Sequence, residues 1–165
     1  NLISNFTKAL DIHKINSILD MPCGDALWIK EIFTKKNINY LGVDIVEKLI
    51  KSNNTLYEND KVKFLNRDIV DFSTEIAFDL VFMRDFFIHI NNSDIKKIIN
   101  NLTKMNIKYF AFTNYEIEKN TDVITGKHRK VNLQLEPFNL GIPIYSFNDF
   151  EKDKFIYFYE KSALK

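Results

Sequence analysis

The architecture expected of the whole chain follows from Ser17-Ile18-Leu19-Asp20-Met21-Pro22-Cys23-Gly24-Asp25-Ala26-Leu27-Trp28. A short apolar run ends on an acidic residue, and a proline and a glycine then break it. Helix-forming residues follow from Ala26 to Phe33. Strand, tight turn and helix start, in that order, are the unit of α/β sheets, which place ligands beyond the carboxyl ends of their strands with a helix N-terminus facing the crevice.

The same rhythm runs through most of the chain. Apolar residues at helical spacing over 2–13 predict a helix before this first strand. Tyr40 to Asp44 predicts a second strand, Val46 to Asn53 a helix, and Val62 to Leu65 a short third strand. Phe78 to Met83 predicts a buried fourth strand, Ser93 to Met105 a helix capped by Ser93, and Tyr109 to Thr113 a fifth strand. Such alternation predicts an α/β, doubly wound (Rossmann-like), mostly parallel sheet with helices on both faces. Ile144–Asn148 and Lys154–Tyr159 predict a closing hairpin, giving seven strands with the last antiparallel.

Residues 114–143 break the rhythm. They carry Gly126, Pro137, Gly141 and Pro143 and show no period. A connection of that length is functional or unstructured. Its polar residues Asn114, Asn120, Asp122, Arg129 and Asn132, together with Glu136, are therefore candidate substrate-binding groups.

At 165 residues the chain reads as one domain spanning 1–165. Twenty-three basic and 22 acidic residues leave a net charge of +1, so neither nucleic acid nor a membrane surface is the expected partner. Cys23 is the only cysteine, which excludes an intrachain disulfide and a multi-cysteine zinc site, fits a cytoplasmic protein, and leaves no metal expected. No apolar run approaches the roughly 20 residues of a membrane span. The chain opens on Asn1 rather than methionine, so an upstream piece is expected. Oligomeric state is left open.

Three carboxylates carry the chemistry. Asp20 and Asp44 end the first two strands and Asp68 follows the third, so all three point at one crevice. Asp44 stands 24 residues after Asp20, near the spacing at which a carboxylate grips a ribose diol in βαβ units. A carboxylate suits that task because it accepts two hydrogen bonds. Gly24 is the loop's only glycine, and Asp25 repels phosphate. The loop thus suits a nucleoside bearing a cation, such as a sulfonium, better than a dinucleotide.

With these residues in place the sequence resembles the class I S-adenosylmethionine-dependent methyltransferases. Ile18 to Gly24 is similar to their cofactor loop, Leu41 to Ile45 to their ribose-binding turn, and Asn66 to Ile69 to their adenine-flanking turn. It resembles most a small bacterial subgroup with an Asp-x-Pro-Cys-Gly-Asp-x-x-Trp signature. The subgroup's later pattern is matched by Arg84, Asp85 and His89, then by Asn120, Asp122, Gly126, Arg129, Asn132, Leu133, Pro137 and Phe138. The likeness runs from about Leu2 to Leu164. Two departures stand out: the subgroup's Gly/Ser-rich segment upstream of the first helix is absent, so part of a cofactor lid is expected to be missing, and its Trp before the arginine is His128 here.

The resemblance implies S-adenosyl-L-methionine as cofactor and S-adenosyl-L-homocysteine as product. It implies that Asp20 and Gly24 line the methionine part, Asp44 holds the ribose, Ile45 packs on adenine, and Asp68 accepts from the adenine amino group beside Ile69. Pro22, Cys23, Trp28 and Arg84 join the cofactor-binding set. Methyl transfer itself needs chiefly positioning, and an alcohol acceptor gains from a base. Asp85 and His89 share a face if a helical turn follows Arg84, so His89 is the expected base, Asp85 its orienting group or an acceptor contact, and Arg84 a clamp for an anionic acceptor. The expected acceptor is a small polar molecule, such as a sugar or surface-glycan building block, methylated on oxygen. The competing readings are a non-catalytic binding subunit of the same fold and a nicotinamide-dependent oxidoreductase. Against the latter stand the single loop glycine, Asp25 and the lack of a Tyr-x-x-x-Lys pair.

Overall fold

Alternating side chains divide the central strands between two apolar layers, which is what a sheet covered on both faces requires. A computed structural model describes residues 2–164. Its strands β1 (Ser17–Asp20), β2 (Asn39–Asp44), β3 (Val62–Asn66), β4 (Phe78–Met83), β5 (Ile107–Tyr115), β6 (Tyr145–Asn148) and β7 (Lys154–Glu160) form one sheet. The spatial order is β3-β2-β1-β4-β5-β7-β6. β1 to β5 pair in parallel, while β7 runs antiparallel to both β5 and β6. The expected doubly wound sheet with an antiparallel last strand is what forms.

On one face Ile18, Tyr40, Leu80, Phe82, Ala111, Ile156 and Phe158 pack under three helices. These are α1 (Leu2–Ile12), α2 (Lys30–Lys35) and α3 (Glu47–Tyr57). On the other face Leu19, Leu41, Val81, Met83, Phe110, Phe112, Tyr157 and Tyr159 meet α4 (Asn92–Lys104) through Ile95, Ile98 and Leu102. One helix cannot cover seven strands. The aperiodic connection completes the layer, burying Val131, Leu133 and Leu140 against the same face. Residues 114–143 are therefore a cover, not an open loop.

Several boundaries differ from expectation, among them the end of α3 at Tyr57 instead of Asn53, and three of them shape the site and its cover. The helix expected from Ala26 begins at Lys30, because Gly24 and Ala26 both take left-handed backbone, at φ 55° and 57°. α4 is capped by Asn91, whose side chain accepts from the Asp94 N–H at 2.8 Å, and Ser93 falls inside the helix. β5 runs on to Tyr115, whose N–H donates to the Val131 carbonyl and ties the connection to the sheet. Among the described residues no helix is long and apolar enough to cross a membrane.

Candidate functional site

Register brings the carboxylates together. Asp20 pairs opposite Gly42 and Asp44 opposite Asn66, so both lie at the carboxyl end of the sheet. Asp44 then organises the loop after β1: its Oδ2 accepts from the Gly24 N–H at 3.0 Å and its Oδ1 from the Val46 N–H at 2.9 Å. The Cys23 N–H donates to the Val43 carbonyl at 3.0 Å, and buried Asn53 of α3 donates to the Gly24 carbonyl at 2.8 Å. Leu27 N–H is taken by Asp25 Oδ1 at 3.1 Å. Most of the donors that would cradle a phosphate are thus spent within the loop.

Gly42 backs directly onto this loop. A Cβ there would stand 2.7 Å from Phe64 Cδ1 and 2.9 Å from both Cβ and Sγ of Cys23. Gly42→Ala is expected to destabilise the protein by ~1–3 kcal/mol, read as a lower urea midpoint, because the loop or Phe64 must move. An unchanged midpoint would show that the loop has slack.

A cavity of about 250 Å³ is lined by Asp20, Pro22, Cys23, Gly24, Asp25, Trp28, Asp44 and Arg84. Asp20 is buried and accepts from the Tyr40 hydroxyl at 2.7 Å. Burial pushes its carboxyl up to about 7, opposed by the Tyr40 hydrogen bond and Arg84 and reinforced by Asp44. Burial, with Asp20 and Asp44 beside it, also pushes the Cys23 thiol far up, which disfavours the thiolate a nucleophile needs. A second cavity, of about 460 Å³, takes in Ile45, Asp68, Ile69, Val70, Phe86 and Thr125. Consecutive residues Asp44 and Ile45 line one cavity each. Asp68 turns one oxygen to the Val70 N–H at 2.9 Å. All ten expected cofactor-binding positions line one or other cavity.

The expected catalytic group is not brought together as a unit. Asp85 takes left-handed backbone, φ 55°, and only Phe87–His89 form a short 3-10 turn, so Asp85 and His89 do not share a helix face. Asp85 donates its N–H to Thr113 Oγ1 at 2.8 Å and offers its carboxylate to Lys154 Nζ at 2.9 Å. His89 is exposed, with Nδ1 3.1 Å from the Lys127 carbonyl and its ring 5.5 Å from that of His128. Arg84 makes a two-pronged contact with Asp149, Nε to Oδ2 at 2.9 Å and Nη2 to Oδ1 at 3.1 Å. It lies 3.7 Å from the Asp85 carboxylate.

None of the five expected substrate-binding residues lines either cavity. Asn114 accepts from the Leu133 N–H at 2.7 Å and donates to Asn132 Oδ1 at 3.2 Å. Asn120 bridges the backbones of Asn132 and Glu136, while Asp122 accepts from the N–H groups of Asn92 and Val123. Buried Arg129 donates to the carbonyls of Phe87 and Thr121 and to Asn92 Oδ1. A chain segment pressed onto a core without helical hydrogen bonds must satisfy its backbone some other way. These side chains do that. The five residues expected to bind substrate are thus engaged within the cover, away from both cavities.

Sequence reasoning missed Tyr40, Asn53, Asp149 and Lys154. Asn53 left a trace: it sits three residues after inward-facing Ile50 on α3, where an apolar residue is the default. Lys154 left another, as a cation opening a strand of aromatic and aliphatic residues. For Tyr40 and Asp149 the sequence holds no comparable cue.

Two carboxylate-bearing cavities beyond the strand ends of a doubly wound sheet lie where such folds bind nucleoside cofactors. The chain belongs to the methyltransferase domain family, whose model matches residues 18–106. Among solved structures the fold is similar to that of PH0226 protein from Pyrococcus horikoshii OT3. That match has TM-score 0.69 and 16% identity over 96% of this chain and 89% of that one. It is also similar to a S-adenosylmethionine-dependent methyltransferase from Clostridium acetobutylicum ATCC 824, at TM-score 0.68 and 12% identity over 94% and 89%. The plantazolicin methyltransferase BpumL, in complex with SAH, matches at TM-score 0.58 and 20% identity over 68% of this chain and 45% of that one. The chain thus spans less than half the length of some structures it matches. No curated protein matches it in sequence.

Proposed function

We propose that this methyltransferase uses S-adenosylmethionine to methylate a hydroxyl of a small molecule in the cytoplasm, without nucleic-acid or membrane partners. The subgroup reading rests on the Asp20 to Trp28 signature. The carrying observation is the first cavity: three carboxylates, Asp20, Asp25 and Asp44, line it, and the adjoining loop has spent most of its phosphate-binding donors. That donor set fits a cationic nucleoside better than a pyrophosphate. Asp44 would hold the ribose, and Ile45, Ile69 and Asp68 would hold the base in the second cavity. When bound, the cofactor supplies a methyl group activated on a sulfonium.

The chain's own residues then have little chemistry to do. The walls of the two cavities fix orientation, the largest contribution to an in-line displacement. The Lys127 carbonyl can only accept, so His89 Nδ1 carries the proton and Nε2 is the basic nitrogen. A backbone carbonyl instead of Asp85 thereby fixes the His89 ring, which lines neither cavity, and in this reading Nε2 takes the acceptor proton. The polar groups of 114–143 no longer argue for a sugar, so a hydroxyl-bearing small molecule is the acceptor class.

Calorimetry with S-adenosylhomocysteine and NAD tests the cofactor. Micromolar binding of the first alone is expected, and binding of NAD alone overturns the reading. A panel of sugars and small alcohols incubated with methyl-labelled cofactor then identifies the acceptor. On it, His89→Ala is expected to lower kcat ~10²-fold with unchanged cofactor affinity. An undiminished kcat removes His89 from the reaction.

A further inference from the structure

We infer that Arg84 receives the carboxylate of the cofactor's methionine end, and that Asp149 and Lys154 of the terminal hairpin are the positioning residues that hold it ready. This rests on the cofactor reading above. Among the described residues Arg84 is the only cationic side chain lining the 250 Å³ cavity; three of the other lining residues are Asp20, Asp25 and Asp44. An amino-acid tail brings an ammonium and a carboxylate into that space. The carboxylates suit the first, and only Arg84 suits the second.

The guanidinium is arranged for a second partner. Nε and Nη2 are committed to Asp149, and among the described residues nothing accepts from Nη1. A planar fork gripped along one edge presents its remaining N–H groups in a fixed direction. The Trp28 ring, 5.7 Å from the guanidinium carbon, bounds it on another side. Trp28 lines the same cavity.

The grip is itself built. The Asp149 side chain is fully buried, and Lys154, 92% buried, stands 3.3 Å from Asp149 and 2.9 Å from Asp85. The turn is closed by the Asp149 N–H on the Lys154 carbonyl at 2.8 Å. The two cations there face the carboxylates of Asp149 and Asp85, with Glu151 3.9 Å from Lys154, so Arg84 is held without surplus positive charge. Because β7 returns antiparallel beside β5, the hairpin turn lies at the carboxyl end of the sheet, over the cofactor crevice.

The test compares two ligands by calorimetry: S-adenosylhomocysteine and its decarboxylated form, which lacks only the carboxylate. Wild type is expected to prefer the first. Arg84→Gln is expected to weaken S-adenosylhomocysteine binding at least tenfold and leave the decarboxylated ligand unchanged, so the preference collapses. Asp149→Asn is expected to erode the same preference by a smaller factor. If Arg84→Gln does not fold, Arg84→Lys keeps the charge, loses the fork and is expected to show an intermediate preference. Equal losses on both ligands, or an intact preference in the variants, overturn the inference. Wild type that binds neither ligand overturns the cofactor reading and this inference with it.

Discussion

Asp44→Ala is expected to raise the S-adenosylhomocysteine Kd at least tenfold, about 1.4 kcal/mol, and to destabilise the protein at the same time. The two effects share one cause. Asp44 is 5% exposed, and its carboxylate accepts the Gly24 and Val46 N–H groups, one on each oxygen. Truncation leaves both donors without a charged acceptor. Hydrogen bonds to charged groups contribute roughly 1.5–3 kcal/mol each, and part of that returns as the freed N–H groups reach water. A loss of ~2–4 kcal/mol in urea denaturation is therefore expected. Asp44→Asn separates the roles. Its amide keeps one acceptor oxygen, so it retains more stability than alanine, yet it cannot accept both ribose hydroxyls. Asparagine that binds as wild type does would end the ribose assignment.

The parts of this site that were legible in the sequence are local ones. Asp20, Asp44 and Asp68 could be found because each follows a short apolar run, and period-two patterning places strand ends without tertiary information. The chemistry expected of them follows from residue type. The start of α2 was not legible, since nothing in the residue type of Ala26 announces a left-handed backbone. The role of 114–143 was hidden for a different reason. Asn114, Asn120 and Arg129 are the same residues whether they bind a ligand or stitch a cover, and only the shortage of helices on that face decides. Asp149 and Lys154 lie 65 and 69 residues from Arg84 and Asp85, beyond any pattern a local reading can use. The face shared by Asp85 and His89 failed on one dihedral angle at Asp85.

Stability of the cofactor-free protein is expected to fall as pH rises from about 4 to about 7, with Asp20 the cause. Its folded-state carboxyl is pushed up to about 7 by burial, against an unperturbed value of 3.8. Between those limits the folded protein holds a proton that the unfolded chain has released. Stability therefore declines with pH through that window and is level above it. Integrated over about three units the effect is on the order of 4 kcal/mol. Below the window other carboxylates set the trend. Asp79, with its lowered value owed to Lys108 and the Asn16 N–H overcoming burial, and Asp122, lowered by the Asn92 and Val123 N–H groups, lose stabilisation as acid protonates them. Urea melts from about pH 2 to pH 8 measure the slope and the acid limb. Asp20→Asn, which cannot ionise, is expected to flatten it while the acid limb due to Asp79 and Asp122 persists. A wild-type curve with no decline between pH 4 and 7 would show that Asp20 ionises at its ordinary value. The same proton links stability to ligand binding: a cation placed in the cavity favours ionised Asp20. S-adenosylmethionine binding near pH 6 is accordingly expected to release protons, read as a buffer-dependent calorimetric enthalpy, and Asp20→Asn to abolish that dependence.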